Sequence, residues 1–231
     1  VAVVAFFCLI AVFFVTVAVL GGRQAKLRSE KLAGLAGELG WSFEPSANRR
    51  LPHRYEPFRR FSQGHSQRIF NTLAGTAAAM GEECHAWTGD FLYKTTSRQG
   101  KKTTTHTHRF SYLLLELPIS PAPEMAVRGE GMFDKLAGWF GMDDIDFESA
   151  EFSDRFHVTG SDKRFTYDLM HPRMMEFLLD GSPPDISLSG RYCLLTRRNG
   201  LWEPEAFRAT LAWAERFCQL WPEHVLSELR A

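Results

Sequence analysis

Residues 84–117 read CHAWTGDFLYKTTSRQGKKTTTHTHRFSYLLLEL. Two stretches rich in aromatic and β-branched residues, 84–97 and 103–117, meet around the polar run Ser97-Arg98-Gln99-Gly100-Lys101-Lys102, a pattern that predicts a β-hairpin. Side chains alternate along a strand, so His85, Trp87, Phe91 and Tyr93 share one face of the first strand. On the second strand His106, His108, Phe110, Tyr112 and Leu114 share a face by the same rule. A register that joins these faces makes one aromatic surface, and a slip of one residue would send half of it to the other side. The hairpin therefore predicts an antiparallel sheet.

Upstream, Val1 to Leu20 carry no charged side chain, and the next eleven residues carry Arg23, Lys26, Arg28 and Lys31. Twenty helical residues rise about 30 Å, the thickness of a bilayer's hydrocarbon core. The run has no basic stretch before it and only Val19-Leu20-Gly21-Gly22 at the place of cleavage, which argues against a signal peptide. It reads as a single transmembrane helix, and the basic flank places the rest in the cytoplasm by the positive-inside rule. Residues 1–22 are then the anchor, 23–45 a juxtamembrane helix and connector, and 46–231 a cytoplasm-facing domain, with 118–130 the candidate seam between two subdomains. Within 24–40, Leu27, Leu32, Leu35, Ala36 and Leu39 recur near helical spacing and Gly40 supplies a stop. Trp41-Ser42-Phe43 alternates like a short strand, and 46–68 is a basic, Pro-interrupted connector.

Downstream, Pro118, Pro121 and Pro123 end the hairpin and open a linker. Met132 to Phe140 has the spacing of a short helix, Ile145 and Phe147 alternate with acids, and Phe152, Phe156 and Val158 extend that as strand. Ser161-Asp162 and His171-Pro172 have the chemistry of helix starts, and Gly181 that of a stop. A second hairpin pairs Ile186–Leu188 with Tyr192–Leu195 near Gly190. Pro204 opens a final helix with an apolar stripe through Phe207, Leu211, Ala214, Phe217 and Cys218, which Pro222 breaks. The fold class is α+β: an N-terminal transmembrane helix, then antiparallel sheet built from hairpins with packed helices.

From Phe147 to Phe207 the order is an acidic strand, EFSDRFHVTGSDKRFTYDLMHPRMMEFLLDG, the hairpin DISLSGRYCLLTRRNG, and LWEPEAF. This resembles a family of bacterial membrane-anchored proteins known only as a domain of unknown function. The positions that match are Phe156, Asp162, Tyr167, Leu169, Pro172, Met175 and Leu178. Relatives often carry two spans where this chain shows one. The resemblance implies an anchored domain and supplies no catalytic residue.

His106-Thr107-His108 is the sharpest metal signal, because on a strand both imidazoles leave one face. A third ligand would come from His85, His157 or His171. Asp143, Asp144, Asp146 and Glu148 could offer oxygens to a cation, but the EF-hand glycine and loop length are missing and Ile145 and Phe147 alternate with them, as on a half-solvated strand. No GxSxG, SxxK, HExxH, Walker or GxGxxG motif occurs, and no cofactor is implied. Outside the apolar run Cys84, Cys193 and Cys218 are widely spaced and odd in number, which suits small buried residues in a reducing compartment.

Net charge is zero, but residues 21–75 hold ten Lys/Arg against four Asp/Glu, and 130–185 hold five against thirteen. Arg49, Arg50, Arg54, Arg59 and Arg60 cluster within the basic part. Anionic headgroups attract such clusters with about 1 kcal/mol per residue near the surface; pairing with the acidic segment inside the fold is the competing use. The neutral total and the lack of a recognition motif exclude nucleic acid as a partner. The expectation is a single-pass membrane protein whose domain binds or scaffolds rather than turns over a substrate. It is held in the bilayer by residues 1–20, with anionic headgroups and an envelope protein as candidate partners. The alternatives are a metal-assisted hydrolase using His106, His108 and an acid of 143–148, and a structural subunit of a membrane complex.

Overall fold

Helix α1 (Ala2–Leu39) is a single helix of 38 residues, about 57 Å long at 1.5 Å per residue. The computed structural model describes residues 2–129, 143–197 and 200–230, with side chains from Val19 onward. Among the described residues no helix is long and apolar enough to cross a membrane; most of the apolar run expected to do so falls where side chains are not described. Gly40 ends α1 as expected: with φ of 69° it takes the left-handed conformation that a Cβ disfavours. Its N–H bonds Gly37 O at 3.3 Å and the Trp41 N–H bonds Ala36 O at 2.8 Å, the paired bonds of a Schellman cap. Leu32, Leu35 and Ala36 are buried, one stripe on the domain-facing side. Leu27, expected in that stripe, is 58% exposed; Arg28 takes the inward position one residue later.

Among the described residues the sheet has nine antiparallel strands in the order β1-β2-β3-β4-β9-β8-β5-β7-β6. They are β1 (Ser42–Glu44), β2 (His65–Ala79), β3 (Glu82–Gln99), β4 (Lys102–Glu116), β5 (Ala122–Gly129), β6 (Asp143–Asp144), β7 (Phe156–Gly160), β8 (Asp185–Gly190) and β9 (Tyr192–Thr196). The β3–β4 hairpin has the expected register: Trp87 faces Leu114, Phe91 faces Phe110 and Tyr93 faces His108. Gln99 pairs Lys102 across a two-residue turn, where Gly100 has φ of 61°, the first-position glycine that a type II′ turn requires. The β8–β9 hairpin turns at Gly190-Arg191 as expected.

Helices α2 (Arg59–Ser62), α3 (Ala150–Arg155), α4 (Lys163–Leu169), α5 (Pro172–Leu179), α6 (Pro204–Gln219) and α7 (Glu223–Arg230) complete the described elements, with a 3-10 turn at His53–Tyr55. Asp162 caps α4 by accepting from the Phe165 N–H at 3.0 Å, and α5 opens with Pro172 at its start.

Three expectations need correction. Phe152 lies in α3, not in a strand, because Ser149 accepts from its N–H at 3.3 Å and caps a helix there. The segment 122–129, expected as linker, is a central strand between β8 and β7, so the seam near 118–130 falls inside one sheet. Residues 65–68, expected as connector, open β2, a strand whose Ala, Gly and Thr content hides it. Those small side chains admit the elements on top: a Cβ on Gly75 would collide with the Trp41 indole, and α6 packs over the same strand. The helix expected at Met132 to Phe140 lies outside the described residues.

Each face of the sheet has its own core. One carries Leu113, Leu115, Met125, Val127, Val158, Ile186 and Leu195 against Leu32 and Leu35 of α1, Leu169, Met174, Phe207 and Phe217. Cys84, Cys193 and Cys218 are free and buried on this side; burial pushes the Cys84 thiol up to about 11 and holds the other two well above the ordinary value. The opposite face is the aromatic surface of the hairpin, Phe91, Tyr93, Phe110, Tyr112 and Leu114, and residues 51–61 cover it with Tyr55, Phe58 and Phe61. Phe61 meets Tyr55, Phe91 and Tyr112 edge to face, with centroids at 4.9, 4.9 and 5.2 Å. The buried Tyr55 and Tyr112 hydroxyls bond each other at 2.9 Å.

Truncating the plug of this second core has a defined cost. Phe61→Ala should destabilise the fold by about 3–5 kcal/mol, the range for a buried Phe, read by urea denaturation of the full chain. A loss below ~1 kcal/mol would show that 51–61 is a loosely held cover.

Candidate functional site

Asp90 sits in β3 on the face toward α1, is wholly buried, and accepts four hydrogen bonds. Arg28 of α1 donates Nε to Oδ2 and Nη2 to Oδ1, both at 2.7 Å. Ser111 Oγ donates to Oδ1 at 2.7 Å and Asn71 Nδ2 to Oδ2 at 3.1 Å. The bidentate fork is the strong form of this pairing, since both guanidinium N–H vectors match the two carboxylate oxygens. Ser111 Oγ also accepts the Trp202 N–H at 2.9 Å, which ties the 200–203 loop to the same point.

The chain is shaped locally for this network. A bulge in β2 between Phe70 and Leu73 sets Asn71 at φ of 49° and re-aims its amide at Asp90. Gly89 lies across from the bulge, where a Cβ would come within 2.9 Å of Asn71 O. Two further ion pairs hold α1 to the start of α6: Lys31 to Glu203 at 2.9 Å, and Glu38 to Arg208.

Above this network α1 stands away from the sheet, with residues 19–27 exposed. A cavity of about 890 Å³ opens in the gap, between α1 from Gly21 to Lys31, the 45–47 segment, strands β2 to β4 and residues 201–203. Arg68, Leu92 and Arg109 are cross-strand partners in one row of its floor. At a strand spacing of about 4.8 Å the two arginines leave the backbone roughly 10 Å apart on either side of Leu92. Arg28 and Lys31 also line the cavity but are answered by Asp90 and Glu203. Arg68 and Arg109 have no acidic partner among the described residues, and Arg68 Nε is buried without a hydrogen-bond acceptor. Leu27, Phe70, Leu92 and Leu201 make the apolar lining. A concave site with apolar walls and a few fixed charges is the usual form of a small-ligand pocket.

The sequence-predicted sites lie elsewhere. His108 stacks on Tyr93 at 4.6 Å and its Nε2 bonds Thr95 Oγ1 at 2.8 Å, while His106 is exposed and faces Thr95 across the ladder. His85 is ten residues from Thr95 along β3, about 33 Å. His157 pairs with Asp144 at 3.1 Å and His171 bonds Leu220 O at 2.9 Å, so no third ligand joins the histidine pair. Among the described residues no three His, Cys, Asp or Glu gather as a metal group. Asp144, Asp146 and Glu148 are exposed while Ile145 is buried, the half-solvated alternation expected there.

Of the five clustered arginines, Arg49 and Arg50 are exposed. Arg54 lies over Trp87 at 4.2 Å and Arg60 over Phe110 at 4.7 Å, on the face opposite α1. Arg59 and Arg60 also approach Arg128, whose pKa is lowered first by burial and then by these neighbours, against the opposing charge of Asp185. The residues that sequence reasoning missed are Arg28, Asp90, Arg68 and Arg109. A usable signal existed in Asp90, a lone carboxylate between Trp87 and Phe91 in an apolar strand that had to find a cation.

No family model matches the chain, and no curated protein matches its sequence. The solved structures include one similar fold, the crystal structure of the mycobacterial trehalose monomycolate transport factor A, TtfA. The likeness has a TM-score of 0.56 at 9% identity and covers 84% of this chain and 96% of that one. At that identity it shows a shared fold over nearly the whole domain.

The Arg28–Asp90 pair supplies a test of the latch. Arg28→Met leaves a buried carboxylate without its counter-ion and should cost about 3–5 kcal/mol. Arg28→Met with Asp90→Leu removes both charges and should be less destabilised than the single variant. Denaturation of the full chain in detergent reads both, and a double variant as weak as the sum of its singles would show that the two residues do not act as a pair.

Proposed function

We propose that this chain is a membrane-tethered, non-catalytic binding subunit that serves lipid transport in the cell envelope. The observation that carries this reading is the fold, shared over 84% of this chain with a trehalose monomycolate transport factor. The apolar run Val1 to Leu20 is the anchor, long enough for a bilayer and followed at once by basic residues. The domain is cytoplasmic and stands on α1 as a rigid stem, since one helix carries both the anchor and the Arg28 latch. Exposed Arg49 and Arg50 are available to anionic headgroups, and an envelope protein is the natural partner of such a subunit.

Two measurements check this. A fluorescent protein fused after Ala231 should glow and a phosphatase fused there should be inactive; the reverse would place the domain outside. Depleting the protein in its own host, with radiolabelled acetate to follow lipids, should raise envelope lipids in the inner membrane and lower them at the cell surface. An unchanged distribution would overturn the transport reading.

A further inference from the structure

The cavity beneath α1 holds more positive charge than its own walls neutralise. Asp90 answers Arg28 and Glu203 answers Lys31, which leaves Arg68 and Arg109 flanking Leu92 with no carboxylate among the described residues. Arg68, half-buried with its Nε lacking an acceptor, and the exposed Arg109 present two cations that favour an anion between them. Beside the polar Gln24, Ser29 and Asn71, the wall has an apolar part in Phe70, Leu92 and Leu201, and Leu27, 58% exposed, stands at the cavity as an uncovered hydrophobic surface. One ligand therefore has to satisfy both halves.

Position completes the argument. Gly21 and Gln24 line the cavity, directly after the apolar run that ends at Leu20. With that run in a bilayer, the reading of the preceding section on which this inference rests, the cavity opens at headgroup level. An amphiphile could place its charged head between the two arginines while its chain stays against α1 and the membrane. Tethering also raises the local lipid concentration, so modest intrinsic affinity suffices for occupancy.

We infer that this cavity binds a single anionic amphiphile, with Arg68 and Arg109 holding its negatively charged headgroup and Leu27, Phe70 and Leu92 holding the start of its chain. The ligand chemistry is a phosphate or carboxylate carried on a hydrocarbon. A headgroup without charge lacks the ion pairs, and an anion without a chain lacks the apolar contact.

The full chain in neutral maltoside micelles is titrated calorimetrically with dihexanoyl-phosphatidylglycerol, dihexanoyl-phosphatidylcholine and inorganic phosphate. Phosphatidylglycerol should bind once per chain, at least about tenfold more tightly than either of the others. Arg68→Gln with Arg109→Gln should weaken it by at least about tenfold, and Lys101→Gln with Lys102→Gln, exposed at the β3–β4 turn and outside the cavity, should leave it unchanged. Leu27→Trp fills the cavity from an exposed helix position and should also block binding, which covers a double arginine variant that fails to fold. Equal binding of the two phospholipids, or binding that survives both cavity variants, would overturn the inference. Phosphate binding as tight as phosphatidylglycerol would make this a free-anion site and overturn it too. The titration stands apart from the depletion test. Binding without a change in envelope lipids keeps this site and removes the transport reading, while a lipid defect without binding keeps that reading and removes this site.

Discussion

A buried carboxylate has few ways to exist, and Asp90 decides how α1 meets the sheet. An ionised carboxylate in an apolar interior costs several kcal/mol unless a cation and further donors replace its water. Here three elements supply them: Arg28 from α1, Asn71 from the β2 bulge and Ser111 from β4. The loop before α6 joins through the Trp202 N–H on Ser111. The pair fixes α1 in rotation and translation, because a bidentate fork has one good geometry where an apolar stripe tolerates sliding. The apolar contacts of Leu32, Leu35 and Ala36 supply the stabilisation; Arg28 supplies the register.

The two faces of the sheet are treated differently as a result. The aromatic face is sealed by chain that follows β1 directly, with Phe61 seated among Tyr55, Phe91 and Tyr112 and with Arg54 and Arg60 laid over rings. Those arginines are amphipathic cover, their stems on apolar surface and their charges spread over π faces. A cluster that looks like one basic patch in the sequence is thus divided between exposed Arg49 and Arg50 and ring-bound Arg54 and Arg60. Proximity along the chain does not make a surface.

What the sequence disclosed follows the strength of local signals. The β3–β4 register was legible because aromatic residues alternate over many positions, and a slip would have exposed them. The end of α1 was legible because Gly40 has one conformational use there. β2 and β5 were not, since Ala, Gly and Thr in β2 serve the close approach of Trp41 and α6, and β5 follows Pro118 and Pro121 and contains Pro123, a run that reads as linker. Phe152 has strand-like neighbours, but the Ser149 cap is a hydrogen bond that no periodicity reports. The cavity was hidden for a different reason. Arg28, Arg68 and Arg109 are far apart in sequence, and only the pairing of β2 with β3 and of β3 with β4 sets two of them in one row.

The cavity itself follows from where α1 leaves the sheet. A helix lying on a sheet along its whole length leaves no gap, and a helix that departs from the sheet opens one. Here the departure is at Arg28, the last residue with a partner in the strands, and residues 19–27 stand clear beyond it. Strands β3 and β4 continue past that point, where the α1-facing row runs Arg68, Leu92 and Arg109. An exposed row of apolar residues would invite aggregation; this chain instead places Arg68 and Arg109 on either side of a buried Leu92. The same geometry that lets the stem leave the domain thus creates a concave, basic, partly apolar site at its foot, where an anionic amphiphile would be met.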